Sequence, residues 1–130
     1  MKSNLCLLFL AIIPISPAAP NPDLWQLANK ECRIHRYSTL FSAQDVRDQL
    51  SSEEGLTKAI DWCKRTGVTK AYVESFRDGY QAERSALLNA KQKLSAAGLI
   101  VSGCVTTTQL GKLSNGWKSI ACFTDKPTQE

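Results

Sequence analysis

The sequence lacks the residues that several common enzyme classes require. Among its 130 residues it contains one histidine, His35, so a Ser/His/Asp catalytic triad is not credible. It has no glycine-rich phosphate-binding loop, and the lone turn glycine Gly79 does not form a dinucleotide-binding fingerprint. We therefore expect no cofactor.

Cysteines are also few, and none of them forms a CxxC pair. His35 lies near only Cys32, so the spacing does not indicate a zinc site and we expect no bound metal. Cys63 falls at an apolar position of a predicted helix and Cys104 lies within a predicted strand, where a free thiol acts as a small buried hydrophobe. Three pairings are possible among these cysteines and Cys122, and we predict none of them.

The charge balance is only mildly basic, with 16 Lys and Arg against 12 Asp and Glu and a formal net charge of +4. The basic residues are scattered along the chain, whereas a nucleic-acid-binding protein more often concentrates them in a stripe. We therefore expect no nucleic-acid partner.

The N-terminus has the order of a secretory signal peptide. Lys2 is followed by an apolar run at 5–13 and by small residues at 16–19, and the run is too short to span a bilayer comfortably. Four prolines in this region would break a buried helix repeatedly. We predict that residues 1–19 are a cleaved signal peptide, which makes the protein secreted or periplasmic with no stable membrane anchor after cleavage. Residues 20–37 are interpreted as an N-terminal linker containing one short helix.

The first well-marked helix begins after this linker. Ser42 is a residue type that caps helix starts, and Phe41 and Val46 occupy the positions of a hydrophobic staple. The pattern predicts a short helix that ends at Leu50.

A longer helix follows directly. Ser51 and Glu54 match the capping-box pattern at its start, and Gly67 is typical of a helix end. Between them the apolar residues recur at helical spacing, at Leu56, Ala59, Ile60 and Cys63.

The middle of the chain predicts two strands joined by a helix. Residues 69–76 are β-prone and are followed by the turn dipeptide at 78–79. Residues 81–97 place their apolar positions on one helical face and end at Gly98. Residues 99–106 form a nearly continuous apolar run, which is typical of a strand buried on both faces. This order predicts a parallel βαβ unit and therefore an α/β fold.

The patterns weaken after Thr108. Residues 117–123 are interpreted as a third extended segment. Thr124 or Asp125 is placed to cap a further helix, with Pro127 in its first turn.

Polar residues follow both predicted strands, and ligands of parallel α/β folds bind at the carboxyl ends of strands. Glu74 is the most informative of them, because a carboxylate near the end of a buried strand needs a partner, either Arg77 or a bound polar ligand. We favour a Glu74–Arg77 ion pair that orders the loop over direct catalysis by Glu74. The hydroxyls of Thr106 and Thr108 can bind sugar hydroxyls or cap the next turn, and Asp125 can bind a ligand or cap a helix. The candidate substrate-binding residues are Glu74, Arg77, Asp78, Thr106, Thr108 and Asp125.

Several segments of the chain are distinctive when taken together. They are WCK at 62–64, GVTK at 67–70, VESFRDGY at 73–80, AAGLIVSGCVT at 96–106, GW at 116–117 and ACFTD at 121–125. They resemble the N-terminal part of exported glycoside-hydrolase-like proteins with a (β/α)₈ TIM barrel, over roughly residues 38–130. The resemblance implies that Glu74 and Arg77 lie at the mouth of the barrel, that residues 122–125 form a loop over it, and that the substrate of the whole protein is a carbohydrate.

A TIM barrel needs about 250 residues. We therefore expect residues 38–130 to be the βαβ start of such a barrel, an incomplete N-terminal fragment. Glycoside hydrolysis needs two carboxyl groups at a defined separation, and only Glu74, Asp78 and Asp125 are candidates. No catalytic pair is identifiable among them, so we expect the fragment alone not to be catalytically competent.

Two other interpretations remain open. In one, the chain is a small exported non-enzymatic α/β domain that binds carbohydrate or protein, and its two strands pair with residues 117–123 in a small sheet. In the other, it is a small doubly wound domain of the flavodoxin kind, which is weaker because no phosphate-binding loop follows the first strand. The apolar edge of the second strand favours the fragment, because such edges invite aggregation.

Overall fold

The computed structural model describes residues 23–111, 113–114, 117–121 and 124–129, so the predicted signal peptide at 1–19 lies outside the described residues. Its helices are α1 (Leu24–Lys30), α2 (Ala43–Asp45), α3 (Glu53–Thr66), α4 (Arg84–Ala96) and α5 (Lys126–Gln129), and a π-helical segment (Val46–Leu50) continues α2. Its strands are β1 (Tyr37–Phe41), β2 (Val68–Glu74), β3 (Phe76–Arg77), β4 (Tyr80–Gln81), β5 (Ile100–Cys104), β6 (Leu113–Ser114) and β7 (Trp117–Ala121).

A three-stranded parallel sheet organises the fold, with the strand order β1-β2-β5. Val73 of β2 lies opposite Phe41 of β1 on one side and opposite Gly103 of β5 on the other. Helices connect the successive parallel strands, because parallel neighbours cannot be joined by a tight turn. The described residues therefore form the α/β fold that the sequence predicts.

Strand β1 is a correction to the sequence analysis, which began the sheet one strand later. Its residues Tyr37, Thr39 and Phe41 alternate aromatic and β-branched side chains, and this is a strand pattern directly before the Ser42 cap. The pattern is weak because only Phe41 is buried. The sheet thus contains two successive βα units before β5.

The predicted helix starts are largely confirmed. Ser42 and Asp45 form a reciprocal capping box: the Ser42 amide donates to Asp45 Oδ2 (2.8 Å), and the Asp45 amide donates to Ser42 Oγ (3.1 Å). Helix α3 is capped one residue later than predicted, because the Ser51 hydroxyl donates to the Arg47 carbonyl (2.6 Å) and Ser52 accepts from the Gly55 amide (3.1 Å).

The hydrophobic core lies between the sheet and the helices. Leu56 and Cys63 of α3 are buried as the helical spacing predicts, and so is Leu94 of α4. Helix α1 lies within the expected linker and confirms its short helix. Its side chains at Leu24 and Ala28 approach Gly67 at the end of α3.

Strand β5 corrects a second expectation, that residues 99–106 form a strand covered on both faces. Ile100 remains 47% exposed, and a Cβ placed on Gly103 would meet no atom within 4 Å. The reason is position: among the described residues β5 is an edge strand of the sheet, so its outer side has no neighbouring strand.

Two hairpins flank the sheet. Asp78 and Gly79 connect β3 and β4 with φ values of 50° and 77°, which is the turn geometry that the Asp-Gly pair predicts. Strand β7 pairs antiparallel with β6, so the alternative in which residues 117–123 join the main sheet is wrong for the part that the structure describes. The Ala121 amide donates to the Thr107 carbonyl (2.7 Å), which holds the second hairpin beside the loop after β5.

Helix α5 begins directly after Asp125 and has Pro127 in its first turn, as predicted. Among the described residues, no helix combines the length and the apolar character that crossing a bilayer requires.

Gly67→Ala is expected to lower the free energy of unfolding by about 1 kcal/mol or more, because Gly67 has a φ of 68° and a Cβ there would lie 3.2 Å from Leu24 Cγ. The matched control is Gly103→Ala, where the added Cβ has open space and the stability should change little. Urea denaturation of the full chain measures both variants. Equal stability of the two would contradict the packing of α1 against the end of α3.

Candidate functional site

The carboxyl ends of the three parallel strands meet at one edge of the sheet. Glu74 ends β2, Ala43 begins the helix after β1, and Thr106 lies in the loop after β5. These segments are distant in the sequence, and the parallel register brings them together. This edge is the candidate functional site.

Glu74 lies at the centre of the site and is only 1% exposed. Its Oε2 accepts from the Ala43 amide (3.1 Å) and from Arg77 Nε (2.7 Å), and its Oε1 accepts from the Thr106 hydroxyl. The predicted Glu74–Arg77 ion pair is therefore confirmed. One carboxylate connects the ends of all three strands of the sheet.

These contacts keep Glu74 ionised. Burial is the strongest single influence and raises the pKa of Glu74, but the hydrogen bonds from Arg77, Thr106 and the Ala43 amide, together with the guanidinium charge, outweigh it and lower the pKa below its ordinary value. A general acid needs a raised pKa, so Glu74 is not suited to donating a proton near neutral pH. The arrangement suits Glu74 for holding other groups in place.

Arg77 extends the Glu74 network toward solvent. The hydrogen bond from its Nε to Glu74 raises its pKa further and fixes the guanidinium plane, and 33% of the side chain remains exposed. Gln44 Nε2 donates to the Arg77 carbonyl (3.3 Å), which holds the backbone of the same residue. Within the described residues the terminal guanidinium nitrogens have no hydrogen-bond partner, so they are available to donate to a polar ligand.

The other predicted site residues are divided between two places. Asp78 lies exposed at the tip of the β3–β4 hairpin, and its amide donates to Thr108 Oγ1 (3.0 Å), so the Thr108 hydroxyl joins the two loops. Asp125 is half-buried and lies directly before α5. The structure brings Glu74, Arg77 and Thr106 into direct contact, and it joins Asp78 to Thr108.

The sequence analysis missed three groups at this edge. They are the Ala43 amide, the Gln44 side chain and the Cys104 side chain. The first two follow β1, so recognition of that strand would have indicated them. Cys104 lies opposite Glu74 in the strand register, and burial followed by the nearby Glu74 charge raises the pKa of its thiol.

The described residues include three cysteines. Cys32, Cys63 and Cys104 are free, and burial raises the pKa of Cys63 to about 11. Among the described residues no group of three His, Cys, Asp or Glu side chains is placed to hold a metal ion.

Glu74→Gln is expected to destabilise the full chain by about 2 kcal/mol near neutral pH, because hydrogen bonds to a buried charge are lost. The pKa of Glu74 is lowered in the folded state, so its stabilisation is complete above the ordinary value of 4.5 and is lost as the pH falls through the folded pKa. The gap between wild type and variant should therefore shrink in acid.

Glu54→Gln is the control for this experiment, because Glu54 pairs with Lys58 at 2.6 Å while both side chains stay largely exposed. Urea denaturation across the pH range measures both variants. A gap for Glu74→Gln that stays constant into acid would contradict the network around Glu74.

One family model matches most of the chain. It is described as "Probable glycosyl hydrolase, catalytic domain" and matches residues 22–130, a range that includes the parallel sheet and every residue of the Glu74 network. No curated protein and no solved structure shows significant similarity to the chain. The chain therefore belongs to this family of probable glycosyl hydrolase catalytic domains.

Proposed function

We propose that this chain supplies part of the substrate-binding edge of a carbohydrate-active, glycoside-hydrolase-like protein. In this proposal Arg77 contacts the sugar, and Glu74 and Thr106 hold Arg77 in position. The observation that carries the proposal is the Glu74 network at the carboxyl ends of the strands, where α/β folds bind their ligands. Family membership supports a carbohydrate as the ligand.

The architecture that we propose for the whole protein is a (β/α)₈ barrel whose first strands are β1, β2 and β5. Three parallel strands with helical connections are consistent with the start of such a barrel. The polar cluster at the carboxyl edge agrees with the side on which barrel enzymes bind substrate. In this proposal the chain is the N-terminal fragment of the barrel.

The described residues do not supply the hydrolytic step in this proposal. Most glycosidases use two carboxyl groups: one donates a proton to the leaving group, and the other takes a proton from water or attacks the sugar. The lowered pKa leaves Glu74 no proton to donate near neutral pH, and two donors on Oε2 and one on Oε1 leave little lone-pair capacity for attack on a sugar. We assign Glu74 as a positioning residue, with Arg77, Asp78 and Thr108 as the polar groups nearer to substrate.

The proposal also includes export. A cleaved signal peptide at 1–19 would place the protein outside the cytoplasm or in the periplasm, without a stable membrane anchor. Its partner there is a carbohydrate, and nucleic acid is not a partner. The composition at the N-terminus supports this part of the proposal.

A second candidate function is a non-enzymatic carbohydrate-binding domain. The specific observation in its favour is the same set of three donors on Glu74, which suits a positioning role in binding without hydrolysis. Both candidates expect the full chain to bind without releasing reducing sugar, so a soluble monomer with one cooperative unfolding transition is the result that would favour this candidate over the fragment, and aggregation of the chain alone would exclude it.

Arg77→Lys tests the proposed site. Lysine keeps the positive charge beside Glu74 but lacks the planar fork that donates to a ligand. The affinity for whichever neutral oligosaccharide binds, from a panel of cello-, xylo-, malto- and chito-oligosaccharides, should fall about tenfold, a loss of about 1.4 kcal/mol. Isothermal titration calorimetry of the full chain measures the affinity.

Arg84→Lys is the matched control, since Arg84 is an exposed residue at the start of α4. It should leave the affinity unchanged, and urea denaturation should give both variants a midpoint near that of wild type. An affinity that Arg77→Lys does not change, or no binding of any panel member by wild type, would overturn the proposed site.

A further inference from the structure

A strained backbone position lies in the loop after β5, at the carboxyl edge of the sheet. Gln109 has a φ of 53°, in the left-handed region that residues with a Cβ rarely adopt. Among the described residues, Asp78 is the other non-glycine residue with a positive φ, and its value of 50° follows from the Asp-Gly turn of the β3–β4 hairpin. Glutamine is not a residue type enriched in this region, so its local sequence does not explain the conformation of Gln109.

The loop before Gln109 is held from two sides. The Thr108 hydroxyl accepts from the Asp78 amide (3.0 Å), which ties the loop to the β3–β4 hairpin. The Thr107 carbonyl accepts from the Ala121 amide (2.7 Å), which ties it to β7. A strained conformation persists where surrounding contacts determine it, and such positions concentrate at functional sites.

The side chain of Gln109 lies against the tip of the β3–β4 hairpin. A Cβ placed on Gly79 would lie 3.5 Å from Gln109 Oε1, so the amide stands beside the turn that follows Arg77. Gln109 is exposed, and its side chain has no hydrogen bond among the described residues. One acceptor and two donors are therefore available to a ligand at the edge where α/β folds bind their ligands.

The strain gives a reason to assign a role to this side chain. Glycine adopts a positive φ without steric cost, so the fold by itself favours glycine at position 109. Glutamine lowers the stability of the chain there and contributes only an exposed amide. A residue of this kind is expected where the side chain serves binding.

We propose that Gln109 is a specificity-determining residue of the substrate-binding edge, and that its amide binds two adjacent hydroxyls of a neutral sugar beside Arg77. This inference rests on the proposed function. Arginine offers donors only, whereas the amide offers a donor and an acceptor side by side, and each sugar hydroxyl both donates and accepts. The Gln109 amide therefore makes recognition depend on how neighbouring hydroxyls are oriented.

Gln109→Gly and Gln109→Met test the two parts of this inference. The probe is the oligosaccharide that wild type binds most tightly among cello-, xylo-, malto- and chitohexaose. Gln109→Gly releases the strain and removes the amide, so the urea midpoint of the full chain should rise while the affinity falls about tenfold. Gln109→Met keeps the length and the strained backbone, so the affinity should fall equally with a midpoint near that of wild type. Calorimetry measures the affinity.

Gln92 provides the matched control, because it is exposed in the interior of α4. Gln92→Gly should lower the urea midpoint, since glycine destabilises a helix interior, and Gln92→Met should leave the midpoint near that of wild type. Neither change should alter the affinity. In wild type, the side-chain amide resonances that Gln109→Met removes should shift when the probe oligosaccharide is added, which a purely structural glutamine would not show.

The outcomes separate this inference from the proposed function. Unchanged affinity in Gln109→Met, or a lower urea midpoint in Gln109→Gly, would overturn the role of Gln109. If Arg77→Lys weakens binding and Gln109→Met does not, the proposed function stands and this inference alone fails. If wild type binds none of the four hexaoses, or if Arg77→Lys leaves the affinity unchanged, the proposed site fails and the role of Gln109 falls with it.

Discussion

A single buried carboxylate holds the carboxyl edge of this sheet together. Removing an ionised group from water costs several kcal/mol unless donors replace the lost hydration. Glu74 obtains its donors from three different segments: the Ala43 amide after β1, Arg77 after β2 and the Thr106 hydroxyl after β5. Each loop must therefore take a defined course for the charge to remain buried, and the geometry of the site follows from this requirement.

The same requirement decides which residues are free for chemistry. Donors that satisfy Glu74 also keep it ionised, so it has no proton to donate near neutral pH, while the outer part of Arg77 stays exposed beside the hairpin. Helix α3 shows a similar division between its two faces. Leu56 and Cys63 fill the core, while Trp62 and Arg65 line an open cleft beside β1. In both places, a buried set of contacts fixes the direction of the exposed groups.

Interactions between near neighbours explain most of what could be predicted. Three local features were predicted correctly because each involves residues only a few positions apart. They are the Ser42–Asp45 capping box, the end of α3 at Gly67 and the Asp78–Gly79 turn. Strand β1 was missed because an isolated five-residue strand has no such local partner and gains its stability from pairing with β2. The apolar run of β5 correctly predicted a strand, but its burial depends on neighbours that only the sheet order defines.

By itself, the sequence determined the α/β class, the helix boundaries to within a few residues, and the Glu74–Arg77 pair, whose members are three positions apart. Tertiary structure alone decided that Ala43 and Thr106 complete the shell of Glu74, and that Trp62 meets β1 across a cleft. These contacts join residues about thirty positions apart or belong to different layers, and their cost in chain entropy is offset only once the whole sheet has formed. Local interactions were therefore enough to predict the Glu74–Arg77 pair, and long-range packing determines which other groups that pair contacts.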